Sequence, residues 1–243
     1  GYDHEEGGFS DAPKFPRPAV FDFLFEYYNR TGEKEALEMS LSTLRKMHAG
    51  GVYDHLGGGF HRYSVDRVWR VPHFEKMLYD QGQLVNSYLD AFTLTGEAYF
   101  AAVAEDVLDY VLQEMTSAEG AFYSAEDADS APDAAKPDHK IEGAFYLWQR
   151  SELDEVLGEE TGALMAELFG VVPNGNTISD PHNEFGSGNV LYLKRSLGEV
   201  AQENETEADV LFALIQDSKQ KLLAHREKRE RPLRDDKVIT AWN

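Results

Sequence analysis

The sequence predicts a mainly α protein assembled from helical hairpins, on three observations. Apolar residues recur at helical spacing over long stretches, the stretches are paired across short turns, and a glycine–aromatic unit returns once per pair. Hairpins of this length cannot bury their apolar faces alone, so they must stack, as a solenoid or as a closed ring.

The first stripe is Val20, Phe21, Leu24, Phe25 and Tyr28, and the second is Leu37, Leu41, Leu44 and His48. A third, Met77, Leu78, Gln81, Leu84, Val85, Tyr88, Leu89 and Phe92, predicts a helix over 74–94, and a fourth runs from Phe100 through Val107 and Val111 to Met115. The pairs are joined by Thr31-Gly32-Glu33 and Thr95-Gly96-Glu97, where glycine can end a helix in the left-handed conformation. Further helices are expected over 151–157, 161–169 and 206–225, separated by connections rich in Gly, Asn, Pro and Asp. The recurring unit is Gly7-Gly8-Phe9, Gly58-Gly59-Phe60, Gly120-Ala121-Phe122-Tyr123 and Gly143-Ala144-Phe145-Tyr146. It is expected to form short strands or turns where the loops gather, and that end is the expected functional face.

Composition removes several function classes. A net charge of −21 over 243 residues argues against nucleic acid or an anionic membrane as partner. The chain has no cysteine, hence no disulfide and no thiol nucleophile. No apolar run approaches the roughly 20 residues of a membrane span, and GYDHEEGGFS is not a signal peptide; a cytoplasmic location is expected. The chain opens without methionine and stops at DDKVITAWN as an apolar segment begins, so residues 1–243 read as a piece of a longer polypeptide.

Chemistry is concentrated in residues 51–81, which carry His55, His61, His73, Asp54, Asp66, Asp80, Glu75, Arg62, Arg67, Arg70, Lys76 and Trp69 among glycines. Such a loop on a rigid scaffold reads as one wall of a polar pocket. His73 and Glu75 are expected at the start of the 74–94 helix, with Pro72 at its threshold. A helix N-terminus favours a neutral imidazole able to act as base, and Glu75 there is either a catalytic carboxylate or a cap. Lys76 and Asp80, four apart, are substrate-binding candidates or an intrahelical ion pair. Trp69 and Tyr63 are the candidate sugar platforms, with a plug at the end of the helical stack as the plain alternative for Trp69. Arg62 and Arg70 can grip a hydroxyl, carboxylate or phosphate, or tie the loop to Asp54 or Asp66. His55 completes this set.

A second cluster, Glu126, Asp127 and Asp129, follows a glycine–aromatic unit. Gathered carboxylates raise one another's pKa, and Asp127 is the expected general acid with Glu126 and Asp129 as binding groups. The aspartate spacing fails as a calcium loop at Ala131 and Pro132, and the histidine spacings are not those of zinc sites; no metal is expected. Gly57-Gly58-Gly59 lacks the rest of a phosphate loop or dinucleotide fingerprint, and no cofactor is expected. The loop over 174–189, with its asparagines and His182, reads as filler or as a segment reaching the pocket.

Several motifs carry a family resemblance. The order Lys76-x4-Gln81, Tyr88-x2-Ala91-x3-Thr95-Gly96 and Gly120-x-Phe122-Tyr123 resembles the N-acylglucosamine 2-epimerase and cellobiose epimerase group. GGFSDAPKFPRP, DHLGGGFHRYSVDRVWRVPHFEKMLYDQGQL, GAFYSAEDADS, EGAFYLW and RPLRDDKVITAWN together resemble the spermatogenesis-associated protein 20-like family more closely. Ser10 departs from that pattern, where the family usually has glycine. The resemblance implies a partial (α/α)6 toroid, six-hairpin glycosidase-like, with short β segments on its loop face. It also implies an upstream thioredoxin-like domain and further hairpins downstream, both outside residues 1–243. A carbohydrate or similar polyol is the expected small-molecule partner. The reaction is expected to be epimerisation or isomerisation by proton transfer, with His73 as base. The alternatives are glycoside hydrolysis, which needs two carboxyl groups roughly 5 to 9.5 Å apart, and a non-catalytic scaffold for the thioredoxin-like domain.

Overall fold

The structure, a computed structural model, describes residues 1–180, 184–204 and 206–243. It is mainly helical and divides into two compact units. The first comprises residues 1–53, 58–127 and 234–243, and the second comprises 54–57 and 128–233. Eight helices are described: α1 (Pro18–Thr31), α2 (Lys34–Ala49), α3 (Leu78–Thr95), α4 (Ala98–Glu114), α5 (Arg150–Leu157), α6 (Glu159–Leu168), α7 (Leu197–Glu203) and α8 (Ala208–Arg226). The described strands are two residues each: β1 (Tyr63–Ser64), β2 (Pro72–His73), β3 (Lys76–Met77), β4 (Ala125–Glu126), β5 (Asp129–Ser130), β6 (Ile141–Glu142) and β7 (Arg234–Asp235). No helix among the described residues is long and apolar enough to cross a membrane.

In the first unit α1–α2 and α3–α4 are the two predicted hairpins, and both turns close as expected. Gly32 at φ 75° and Gly96 at φ 71° end α1 and α3 in the left-handed region that favours glycine. The stripes meet in one core: Phe21 and Phe25, Leu41, Leu44 and Met47, Leu84 and Tyr88, Phe100, Val103 and Val107. Each such side chain contributes about 1.5–3 kcal/mol on burial. The Tyr88 hydroxyl stays within the apolar stack by donating to the Leu44 carbonyl at 2.7 Å.

One predicted boundary is wrong in a way that matters for the site. The helix expected over 74–94 begins at Leu78, because Pro72–His73 and Lys76–Met77 are committed to strand pairing. β2 pairs with β1 in the register Tyr63↔His73. β3 pairs with β4 in the register Lys76↔Glu126, and β7 joins β4 on its other side. Pro72 therefore stands in a strand, and neither His73 nor Glu75 has a helix N-terminus to act on it.

The glycine–aromatic units form turns and single bridges, as expected. Gly58 and Gly59 both take φ 76° ahead of Phe60, which bridges Tyr53; Gly120 takes φ 87° ahead of Phe122, which bridges Thr116.

In the second unit Leu153, Met165, Leu168, Val200, Leu211, Ile215 and Leu222 form the core with Trp148 and Leu56. The helix α7 was not expected, although Ser196 and Glu199 close a capping box that the sequence spells as S-x-x-E. Two asparagines of the 174–189 loop are structural. Asn189 is fully buried, and its amide donates to the carbonyls of Trp148 and Val172 at 3.0 Å each. Asn176 donates to those of Gly170 and Val190. His182 lies outside the described residues.

Candidate functional site

The polar side chains of 51–81 fall into buried nodes and one open cluster. In the first node Asp66 folds the loop around itself, its carboxylate accepting from the backbone N–H groups of Val68 at 2.8 Å, Arg70 at 3.1 Å and Val71 at 2.6 Å. This turns the chain at Trp69 into the left-handed region, φ 61°, and drives the indole inward. The expectation of a sugar platform at Trp69 is thereby corrected. Its ring is fully buried and its N–H donates to the Glu6 carbonyl at 2.9 Å. A side chain at Gly8 would reach within 2.8 Å of that ring. Lys14, also fully buried, sits above the indole and donates to Asp3 Oδ2 at 2.9 Å and to the carbonyls of Gly7 and Arg67 at 2.7 Å. Burial by itself would raise the Asp3 pKa, but the hydrogen bonds from Lys14 and Arg67 prevail and hold it well below the ordinary carboxylate value.

The second node disposes of two more candidates. Lys76, buried in β3, donates to the Gly58 carbonyl at 2.8 Å and lies 4.2 Å from the centre of the Tyr110 ring. Glu126, its register partner, accepts from the Tyr110 hydroxyl at 2.5 Å. A side chain at Gly59 would come within 2.5 Å of the Tyr110 ring, so the glycine pair is what lets this ring close over Lys76. Lys76 is not on a helix, so the four-residue spacing to Asp80 does not make the ion pair of a helical face.

The open cluster is built on the β1–β2 pair. Phe15, Tyr63 and His73 stack in sequence, with ring centres 4.6 Å and 5.0 Å apart. The backbone N–H of Arg62 donates to the Glu75 carbonyl at 2.8 Å, bringing the two side chains level. Arg62 Nη1 donates to Glu75 Oε2 at 2.7 Å, and His73 Nε2 lies 3.8 Å from the same oxygen. Arg62 is thus tied to Glu75, not to Asp54 or Asp66. Asp54 is engaged by Arg226 in a buried two-pronged pair of 2.8 and 2.9 Å within the second unit.

Tyr79 and Asp80 lie in the first turn of α3, and both interact with Arg62. Asp80 is buried, and among the described residues its Oδ2 has no hydrogen-bond partner. Burial pushes its pKa up from the ordinary 3.8 to about 7; the Arg62 charge opposes the shift and that of Glu75 adds to it. The Tyr79 hydroxyl is also raised, by burial first and then by the Asp80 charge. For Arg62, burial disfavours the charge, but its hydrogen bonds to Glu75 and Tyr79 strengthen it overall. The site therefore holds a carboxyl poised near neutrality beside a fixed ion pair and an imidazole.

Of the predicted site residues, the structure brings Arg62, Tyr63, His73, Glu75 and Asp80 together and turns Trp69, Lys76 and Glu126 inward. The acidic set of 126–129 does not act as a trio, because Glu126 is committed to Tyr110. Asp127 is half-buried in the first unit. His55 and Asp129 belong to the second unit, where His55 is buried with its ring 5.4 Å from that of Phe169, and Asp129 pairs with Glu142 across β5–β6. Sequence reasoning missed Phe15 and Tyr79. Phe15 lies far away in the chain, and Tyr79 was hidden by the misplaced helix start. Among the described residues no group of three or more His, Asp or Glu side chains could hold a metal ion.

The class is that of a mainly α, hairpin-built protein with two-residue strands pairing its loops, as the sequence predicts. The resemblance to the spermatogenesis-associated protein 20-like family holds along the chain. It is 42% identical over 260 residues to spermatogenesis-associated protein 20 of Mus musculus, covering all of this chain and 32% of that protein. The Homo sapiens counterpart is 40% identical over 259 residues, and an uncharacterized protein of Caenorhabditis elegans is 38% identical over 255. The chain spans about a third of the length of the curated relatives it matches. No protein-family model matches it. Among solved structures, a sugar epimerase from a ruminal bacterium covers 97% of this chain and 72% of its own, with a TM-score of 0.47 and 13% identity. The cellobiose 2-epimerase of Bacillus thermoamylovorans covers 98% and 71%, with a TM-score of 0.46 and 14% identity.

Proposed function

We propose that this chain supplies a carbohydrate- or polyol-acting face of an (α/α) toroid, and that its chemistry is proton transfer at a sugar carbon. The observation that carries the reading is the open cluster itself. An imidazole stacked on Tyr63 faces a half-buried carboxylate, with a carboxyl of raised pKa in the same cluster. Removing the proton from the carbon next to an open-chain sugar's carbonyl leaves an enediolate. Returning a proton to the opposite face of the same carbon epimerises the sugar; returning it to the neighbouring carbon, with a proton passing between the two oxygens, isomerises it. His73 is the base, and Glu75, whose Oε2 lies 3.8 Å from its Nε2, is the carboxylate that would orient it. Arg62 steadies the developing oxyanion, and the Phe15–Tyr63 stack offers an apolar ring face to the C–H side of a sugar. Asp127, half-buried in the same unit, remains the candidate general acid.

The rival reading is a non-catalytic scaffold serving an upstream thioredoxin-like domain, and the inward commitment of Trp69, Lys76 and Glu126 favours it for those residues. One experiment separates the two. This chain and the full-length mouse relative are incubated in D2O with aldoses, ketoses, N-acyl sugars and disaccharides, and carbon-bound protons are followed by NMR. Protein-dependent deuterium uptake at a single carbon, lost in His73→Gln, is the expected result. Absence of exchange, hydrolysis and ligand-induced shifts in both proteins would remove the carbohydrate reading.

A further inference from the structure

A groove of about 720 Å³ lies within the first unit, along α3 and α4, and Leu78, Leu108 and Val111 make it apolar. Trp242 also lines it and is fixed by its neighbours. The Asn243 carboxamide accepts from the Phe122 N–H at 2.7 Å and donates to the Phe122 carbonyl at 3.2 Å. The indole meets the Tyr79 ring edge to face, with centres 5.0 Å apart. Its N–H and the Asn86 carboxamide, both in the lining, make no hydrogen bond among the described residues. One lining residue has no reason of packing to be what it is. Gly82 stands inside α3, where glycine is a poor helix former, yet it takes no positive φ and a Cβ there would meet nothing within 4 Å. Tyr79, Gly82 and Asn86 follow one another at helical spacing on one face of α3. A larger side chain at 82 would enter the groove between the other two.

We propose that this groove is a subsite for a neutral saccharide, in which Trp242 stacks on one sugar ring, Asn86 and the indole N–H hold its hydroxyls, and Gly82 keeps the space open. The chemistry of the lining selects the ligand. In a chain of net charge −21, no charged side chain lines the groove among the described residues, so nothing there pairs with an ionic ligand. A purely aliphatic ligand would strip water from the indole N–H and the carboxamide and return no hydrogen bond. A sugar ring meets both demands, with C–H faces for the aromatic rings and edge hydroxyls for the polar groups. Tyr79 joins this groove to the open cluster, since its ring lines the groove and its hydroxyl bonds to Arg62. The substrate class of the cluster is therefore a saccharide of two or more rings, a deepening that rests on the carbohydrate reading above.

The chain carries its own reporter. Trp69 and Trp148 are fully buried and Trp242 is not, so iodide quenching of tryptophan fluorescence reads Trp242. On the 243-residue chain, cellobiose, maltose or diacetylchitobiose is expected to cut the quenching constant by about half or more, since a seated ligand covers the ring. The disaccharide that protects should bind more tightly than glucose. Gly82→Leu should keep the urea midpoint or move it later, and lose the sugar-dependent protection. Asn86→Ala, at an exposed position, should weaken binding about threefold or more, and carries the test if Gly82→Leu fails to fold. No protection by any of the three disaccharides, or undiminished protection in either variant, overturns the proposal. So does protection that rises with protein concentration alone, which would make a second copy the occupant, or protection by an apolar dye such as ANS and by no sugar. Equal affinity for glucose overturns the two-ring substrate. Protection without deuterium exchange keeps the subsite and removes the proton-transfer chemistry, whereas exchange without protection does the reverse.

Discussion

Lys14, Asp3 and Arg67 form a node in which every charge is engaged, whereas Arg62, Glu75, His73 and Asp80 form one with a carboxyl oxygen left over. Both lie in the first unit and both draw on the loop over 51–81. In the first, Lys14 is fully buried and its ammonium spends its three donors on Asp3 and two carbonyls, while Arg67 closes Asp3 from outside with two bonds of 2.7 Å. In the second, Arg62 and Glu75 keep 40% and 24% of their side chains in solvent, and the Asp80 carboxyl is buried with one oxygen unpaired among the described residues. The difference separates holding a loop from using it. A satisfied node stabilises one geometry, while perturbed titrating groups such as Asp80 cluster at functional sites.

The sharpest way to break this comparison is to damage the satisfied node. Lys14→Met takes away the buried ammonium and leaves Asp3 to Arg67 alone, and breaking a buried pair from one side costs up to about 3–5 kcal/mol. The loss should appear as an earlier midpoint in urea. It should also remove an acid dependence. Asp3 is held below its unfolded pKa, so its contribution is complete above about pH 4 and is lost as pH falls through the folded value. The variant should therefore show a flatter stability profile in acid than wild type. A loss below about 1 kcal/mol would mean that the node is no more than surface decoration.

Asp80 should behave with the opposite sign. Its folded pKa is raised, so the folded state holds a proton that the unfolded chain releases from about pH 4 upward, and stability falls with pH until about 7. Between the ordinary 3.8 and about 7, one pKa unit being 1.36 kcal/mol, the cost at pH 8 is roughly 2–4 kcal/mol. Asp80→Asn should recover much of it at pH 8 and nothing at pH 3.5, as read from urea midpoints at the two pH values. A destabilised Asp80→Asn at pH 8 would show that the carboxylate is paid for by contacts it makes, and the contrast with the Lys14 node would collapse.

How much of this was legible in the sequence depends on whether the signal was local. The α1–α2 and α3–α4 hairpins were readable because period and turn chemistry agree within each of them, and the left-handed glycines at 32 and 96 stand where the pattern places them. The start of α3 was not. Residues 74–77 continue the apolar helical period, but β4 lies far along the chain and its pairing with β3 overrides local propensity. That slip moved His73 and Lys76 from a helix end onto strands, with Glu75 between them, and replaced a dipole argument with a register argument. The loop was correctly marked as rich in chemistry, and Tyr63, His73, Glu75 and Arg62 do converge. Which groups turn inward was not readable, since the burial of Trp69 follows from a positive φ imposed by Asp66, and that of Lys76 from the space left by Gly58 and Gly59. The Asp80 surplus was invisible too, because an unpaired oxygen is a property of a packed environment and not of a spacing.

The smallest expected effect is the most discriminating for the open cluster. The Arg62–Glu75 pair is partly exposed, and pairs of that kind contribute about 0.2–1 kcal/mol after screening by solvent. Arg62→Gln should thus change the urea midpoint by less than the error of most extrapolations, and added salt should shrink even that. The same substitution takes away the guanidinium bonded to Glu75 Oε2. If the cluster acts on a ligand, deuterium exchange should fall at least tenfold while stability is unmoved, a split that a purely structural pair cannot produce. If Arg62 instead braces β1 against β2, stability should fall by more than about 1 kcal/mol and exchange only in proportion to the folded fraction. A large functional loss at negligible thermodynamic cost is the behaviour that distinguishes the cluster from the Lys14 node.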